Sequence, residues 1–281
     1  MKFTDSHCHL DFTEFSYNTP ELLQQCYAKD IHRIIVPSVN PEHWHRVLSL
    51  TEAQKSPVKI SCALGIHPWY LILQENTSNN NYNLAFQEQQ LNQAVLQNRG
   101  KIIAIGECGI DVFKAKKNTN NEQDFNQNIQ LQKDFFAMQL NIAKKNNLPI
   151  IIHHCQSHAL ILPLLKQYKL EKGGVIHAFS GSYQQAKDYV NLGFKLGIGG
   201  TITYPRAKKT INAIKRLPLS SILLETDAPA MPPLGMQGKN NSPLNLPLIF
   251  QALTTIRSES TAVIATQIEN NVEQLFFNTA S

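Results

Sequence analysis

Apolar residues in this chain gather into short runs, and between the runs they return every three or four positions among polar ones. The short runs predict strands at residues 2–6, 31–39, 58–65, 101–107, 149–153, 174–179, 194–199 and 222–226. The longer stretches predict helices near 20–29, 41–55, 84–98, 125–147, 157–169, 182–192, 207–216 and 243–257, with a last helix near 261–277. Within 125–147, Ile129, Phe135, Met138 and Ile142 share one face while Asn, Gln and Lys fill the rest, as in a helix lying on a sheet. Pro20 and Pro41 stand where a first helical turn tolerates proline. Strand and helix alternate throughout, which predicts a parallel sheet. Two segments break the rhythm, Asn76 to Asn83 and Lys114 to Asp124, and both read as polar surface loops.

The chemistry sits where the apolar runs end. His7 and His9 close the first run, Glu107 the fourth, His153 the fifth, His177 follows Ile176, and Asp227 follows the last. Residues at the carboxyl ends of parallel strands share one face when the strands close into a barrel, so the pattern predicts an α/β (β/α)8 barrel and one assembled site together. His7 and His9 lie on one side of a strand by alternation and can bind a single ion; a lone pair of this kind is more often two surface histidines. Asp5 and Asp11 are candidates to hold the second nitrogens of these imidazoles. Glu107 directly follows a buried run, where a carboxylate is costly unless paired. Its two oxygens suit a bridge between two divalent ions better than a salt bridge at the rim. His153 and His177 cap adjacent strands and suggest a second metal position. His154 should point away from His153, and His158 should start the next helix. Asp227 is a hard oxygen ligand that can also hold or deprotonate a water. Cys8 and Cys108 adjoin these residues but should face the opposite side of their strands. His67 ends the third run as a candidate substrate contact, whereas His32, His43 and His45 lie in polar surroundings and read as solvated.

Composition narrows the classes. With 281 residues, 42% of them apolar, the chain can bury one large core, and a single barrel domain over 1–281 is expected. No run approaches ~20 uncharged apolar residues, so no transmembrane helix is expected. Lys2-Phe3-Thr4-Asp5 leads into His7 without an apolar leader, and the first strand is expected to be retained. Five cysteines without paired spacing fit a reduced, cytoplasmic protein. The net charge of +5 permits an anionic partner. Its placement says more, because Lys114, Lys116, Lys117, Arg206, Lys208, Lys209 and Lys239 all follow strand ends.

The order and spacing of Asp5-Ser6-His7-Cys8-His9, Gly65-Ile66-His67-Pro68, Gly106-Glu107-Cys108-Gly109-Ile110-Asp111, Pro149-Ile150-Ile151-Ile152-His153, His177-Ala178-Phe179-Ser180-Gly181, Gly199-Gly200-Thr201-Ile202-Thr203-Tyr204-Pro205 and Glu225-Thr226-Asp227-Ala228-Pro229 cover nearly the whole chain. In these motifs it resembles the TatD family of metal-dependent hydrolases, and within it a bacterial YjjV-like branch. The resemblance implies a TIM barrel of the amidohydrolase type and deoxyribonuclease activity of the 3′–5′ exonuclease kind. It also implies a di- or trinuclear site of divalent ions, and two ions, Mg, Mn or Zn, are expected. By position, His7, His9, Glu107 and Asp227 would hold one ion, and Glu107, His153 and His177 the other. Family members usually carry an arginine shortly after the fifth-strand histidine, where this chain has Cys155 and Gln156, and an acidic residue where it has Ala230.

The expectation is a hydrolase of phosphodiester bonds acting on DNA, with Asp227 and Glu107 as catalytic residues and His67, Tyr204, Arg206 and Lys208 contacting substrate. Trp69, Phe179 and Tyr204 are the candidates to stack a base. No membrane and no obligate protein partner are expected, and the chain reads as a monomer. The alternatives are the same site acting on an ester, lactone or amide of a small molecule or a nucleic-acid-linked group, and a metal-containing barrel that only binds nucleic acid.

Overall fold

Eight parallel strands follow one another around the molecule in chain order: β1 Phe3–Asp5, β2 Ile31–Pro37, β3 Lys59–Leu64, β4 Ile102–Asp111, β5 Ile150–Cys155, β6 Gly174–Ile176, β7 Phe194–Ile198 and β8 Ile222–Leu224. The computed structural model describes residues 1–52, 56–71 and 83–278. Each strand pairs with the next, and the chain after the last returns to the first. Ser6 N–H donates to Leu224 O (3.0 Å), Asp227 N–H donates to His7 O (2.9 Å), and Cys8 bridges to Ala228. The predicted (β/α)8 barrel is the observed fold.

Strand alternation sorts the side chains into two cores. One residue from each of six strands, Ile35, Ala63, Ala104, Ile151, Val175 and Leu223, fills the interior, and Val272, Leu275 and Phe276 complete that cluster. The same parity, continued toward the carboxyl ends, carries Ile151 to His153, Val175 to His177, and Leu223 to Glu225 and Asp227. β4 needs one more device, because Ala104 and Glu107 differ by an odd number of residues. A register shift between Ile105 and Cys108 against β5 inserts one residue and turns Glu107 toward the inside. Cys8 and Cys108 therefore join the larger outer core between strands and helices, as expected.

The outer helices are α1 Thr19–Ala28, α2 Pro41–Thr51, α3 Leu84–Gln97, α4 Val112–Lys117, α5 Glu122–Lys145, α6 His158–Tyr168, α7 Tyr183–Asn191, α8 Lys208–Arg216, α9 Leu246–Ile256 and α10 Thr261–Val272. Lys114 to Asp124 is not the loop its composition predicted. Asp111 accepts Lys114 N–H and Asn121 accepts Asp124 N–H, so two capped helices begin there. The predicted helix over 243–257 begins with a 3-10 turn, Pro243–Asn245, and the last helix widens into a π-turn over Glu273–Phe277. Asn83 caps α3 by accepting Phe86 N–H; the rest of the predicted Asn-rich loop lies outside the described residues. Among the described residues no helix is long and apolar enough to cross a membrane.

The helix α5 does more than cover β4. Asn128, Gln132 and Gln139 are fully buried on it at helical spacing. Asn128 Nδ2 donates to Leu71 O (2.7 Å), Gln132 Oε1 accepts Asp111 N–H (2.7 Å), and Gln139 closes both polar groups of Ile66, accepting its N–H (2.7 Å) and donating to its O (3.0 Å). These amides hold the segments that carry His67 and Asp111.

Candidate metal centre

Glu107 stands at the middle of the carboxyl end of the barrel, 1% exposed, with a different set of neighbours on each oxygen. Oε2 lies 3.2 Å from His7 Nε2 and 3.4 Å from His9 Nε2. Oε1 lies 3.0 Å from His153 Nδ1, 3.0 Å from His177 Nε2 and 3.1 Å from His67 Nε2. Asp227 Oδ1 closes the first set at 3.6 Å from both His7 Nε2 and His9 Nε2. All six predicted ligands meet in one place, and His67 meets them too.

The donor atoms fit divalent ions. Bonds of about 2.1 Å at tetrahedral or octahedral angles put neighbouring donors roughly 3.0–3.4 Å apart, close to the separations found. Among the described residues, three groupings are compact enough to hold an ion: His7 with His9 and Asp227, His7 with Glu107 and His177, and His67 with Glu107 and His153. The nitrogens of His7 and His9 face each other at 3.2 Å. A hydrogen bond from one imidazole to the other fits this separation, and so do two lone pairs turned on a shared cation.

Electrostatics follow from this crowding. Burial opposes the charge of Glu107, yet His67, His177 and His7 hold its carboxyl well below the usual range. Burial pushes His7 well down, with His177 adding to the effect, and it lowers His67 to about 4 despite Glu107. His177 moves the other way: burial opposes its charge, but Glu107 and Asp227 raise it well above the ordinary imidazole value. Burial raises Asp227 to about 6, with His177 and His9 pulling against it.

Two carboxylates to which the sequence pattern assigns no role complete the surroundings. Asp111 Oδ2 lies 3.0 Å from His153 Nε2 and accepts Trp69 Nε1–H at 2.7 Å. Burial opposes its charge, but the bonds from His153, Lys114 N–H and Trp69 keep it well below the usual value. Glu225 is fully buried, with Oε1 3.3 Å from His177 Nδ1, and it accepts Ala178 N–H. Both stand an even number of residues from a recognised ligand, Asp111 from Glu107 and Glu225 from Asp227. Parity was the signal that could have found them.

Other expectations are corrected. Asp5 does not hold an imidazole; it accepts Thr226 N–H (2.9 Å) and Thr226 Oγ–H (2.6 Å), tying β1 to the chain after β8. Asp11 pairs with His43 Nδ1, so His43 is not a solvated surface histidine but stands half-buried against Phe12. Phe179 is 2% exposed and packs in the core. His154 does turn away from the centre, toward Phe179 and Tyr189, and His158 begins α6. Tyr204 and Arg206 line a cavity of about 340 Å³ with Ser180, Thr201 and Met231, on the loops after β6, β7 and β8. Lys208 opens α8 beside them.

Residues 4–277 match the family model described as TatD related DNase. The chain belongs to the TatD family of metal-dependent hydrolases. It is 39% identical over 275 residues to the metal-dependent hydrolase YjjV of Escherichia coli, covering 98% of each chain. A metal-dependent hydrolase of Haemophilus influenzae is 37% identical over 280 residues, with 98% of this chain and 100% of that one aligned. The crystal structure of Escherichia coli YjjV, a TatD homologue, superposes with a TM-score of 0.86 over 98% of this chain and 97% of the other. TatD membership makes this chain a metal-dependent hydrolase, and the converging imidazoles and carboxylates are groups that could hold its metal.

Proposed function

We propose that this TatD-family hydrolase cleaves phosphodiester bonds of DNA, as an exonuclease of the 3′–5′ type, using two divalent ions. The observation that carries the reading is the division of Glu107: one oxygen faces His7 and His9, the other His67, His153 and His177. A carboxylate so placed is suited to be shared by two ions. His7, His9 and Asp227 would complete one position and His153 and His177 the other, with His67 beside it. Bound there, the ions supply Lewis acidity toward phosphoryl oxygens and a water of lowered pKa.

The chain's own residues do the rest. Asp227 is more open to solvent than Glu107, with 11% of its side chain accessible, so it can orient the attacking water and receive its proton. Asp111 and Glu225 orient His153 and His177 from behind. Arg206 and Lys208, both exposed, contact backbone phosphates, and the cavity walled by Tyr204 receives part of a nucleotide. The family description as a DNase supports this choice of substrate.

The test is turnover by metal-depleted protein restored with Mg, Mn or Zn in turn. Substrates are single-stranded DNA, RNA, bis-(p-nitrophenyl) phosphate, and simple esters, lactones and amides. Ion-dependent release of mononucleotides from DNA supports the reading. Turnover confined to small esters, lactones or amides replaces it with the small-molecule alternative, and DNA binding without any turnover replaces it with a binding role.

A further inference from the structure

Trp69 is a large aromatic left 52% exposed beside a buried metal centre. It follows β3 in a short 3-10 turn, Pro68–Leu71, and its ring is fixed from several directions. Its N–H is committed to Asp111 Oδ2 at 2.7 Å, and Asp111 touches His153, which touches Glu107. The indole meets the edge of His67 at 5.1 Å between ring centres and lies 6.2 Å from His153. Lys114 Nζ stands 4.9 Å from the ring centre. A ring held by its own N–H, in contact with metal-centre histidines and carrying a cation, still leaves half its surface to solvent. Burial of Phe179 removes one rival, and Tyr204 donates its hydroxyl to Pro232 O (2.7 Å) as a wall of its cavity.

Building on the nucleic-acid reading above, we propose that Trp69 is the stacking platform for the nucleobase next to the scissile phosphodiester, with Lys114 on the adjoining phosphate. A base reaches the indole only when it is unstacked from its neighbours, so the platform selects single-stranded or frayed ends over intact duplex. Any base has a face to offer, so selection is for the presence of a base and not for its identity.

The experiment compares metal-restored wild-type protein with Trp69→Phe and Trp69→Ala. Both variants lose the bond to Asp111; only Trp69→Ala loses the ring. The substrates are a single-stranded hexadeoxynucleotide and the same hexamer with an abasic residue beside the scissile bond, and the readout is the ratio of their kcat/KM values. Wild type and Trp69→Phe are expected to prefer the base-bearing hexamer by roughly tenfold, a preference that Trp69→Ala loses. The hexamer should also quench the fluorescence of Trp69 in wild type, leaving buried Trp44 as the unquenched background seen alone in Trp69→Phe. Equal losses in Trp69→Phe and Trp69→Ala on both substrates overturn the platform, because Trp69 then acts only by positioning Asp111. Retention of the preference in Trp69→Ala overturns it as well, and both results leave the nuclease reading standing. Wild-type protein that neither cleaves the hexamer nor is quenched by it overturns both.

Discussion

Gly197 makes room for Glu225. A β-carbon built on Gly197 would lie 2.0 Å from Glu225 Oε2, so β7 has no side chain at the point where that carboxylate turns toward His177. Gly197→Ala should therefore displace a fully buried carboxylate and cost about 3 kcal/mol or more. Glu225→Gln keeps the shape and removes the charge. It is expected to retain most of the stability while weakening ion binding by roughly 10–100-fold, as loss of a partner behind a ligating histidine does. Thermal unfolding and titration of metal-depleted protein separate the two effects; equal ion affinity in wild type and Glu225→Gln would show that Glu225 does not act through His177.

Glu107 and His158 provide a second contrast. Glu107→Ala removes a group that touches His7, His9, His67, His153 and His177 together, and turnover should fall by about 10³-fold or more. The barrel should keep its circular dichroism, since Glu107 supports no apolar packing. His158 opens α6 and pairs with Asp188 at 3.5 Å, away from the centre, so His158→Ala should alter turnover only slightly. A larger loss in His158→Ala would relocate the site.

Gln139 tests the support that α5 gives to the loop after β3. Gln139→Leu leaves the N–H and C=O of Ile66 buried without their partners, at a cost of about 2–4 kcal/mol. His67 follows Ile66 directly, so ion affinity should fall together with the melting temperature. Unchanged stability would mean that Ile66 readily finds other partners.

Much of this is legible in the chain itself. Apolar runs ending in His7, Glu107, His153, His177 and Asp227 carry both the barrel and the centre, because a parallel barrel presents strand ends on one face. Asp111 and Glu225 share strand parity with Glu107 and Asp227 and could have been read from it, but most of what escapes depends on registers and partners that local pattern records weakly. The inward turn of Glu107 needs a bulge against β5, and its local sign is Gly106, a glycine inside the strand that takes a φ of +147° there. Asp5 looks like a partner for an imidazole because it is two residues from His7, yet the nearer claim on it comes from Thr226, across the closure of the barrel. α4 escapes because its lysines resemble loop composition; the cap that starts it is Asp111, itself beside the centre.

The cysteines should be unreactive in the native protein. Burial pushes Cys26 and Cys62 up to about 12 and Cys155 up to about 11, with Asp111 adding to the last, while Cys8 and Cys108 lie well above the ordinary thiol value. The thiolate is the reactive form, so labelling should rise with pH only as it approaches these values. At pH 8 the thiolate fraction of Cys155 is about one part in a thousand. Ellman's reagent should therefore react slowly with native protein and with all five thiols after unfolding. Rapid native labelling of any cysteine at pH 8 would contradict the packing around it.

Placement of charge tests the polyanionic substrate. Lys114 and Lys116 lie on α4, and Arg206 and Lys208 follow β7, so the four flank the metal centre on two sides of the same barrel end. If they hold phosphates, replacing them with Ala should weaken DNA binding and flatten its dependence on salt. The slope of log affinity against log salt should drop by roughly one unit for each phosphate no longer held. Turnover of bis-(p-nitrophenyl) phosphate, which has no chain of phosphates to grip, should change far less, because Asp227 and the ligands around Glu107 remain in place. Equal losses on both substrates would assign these side chains a structural part. No loss on either would leave the centre to a small neutral substrate, and the ester, lactone or amide reading would then be preferred.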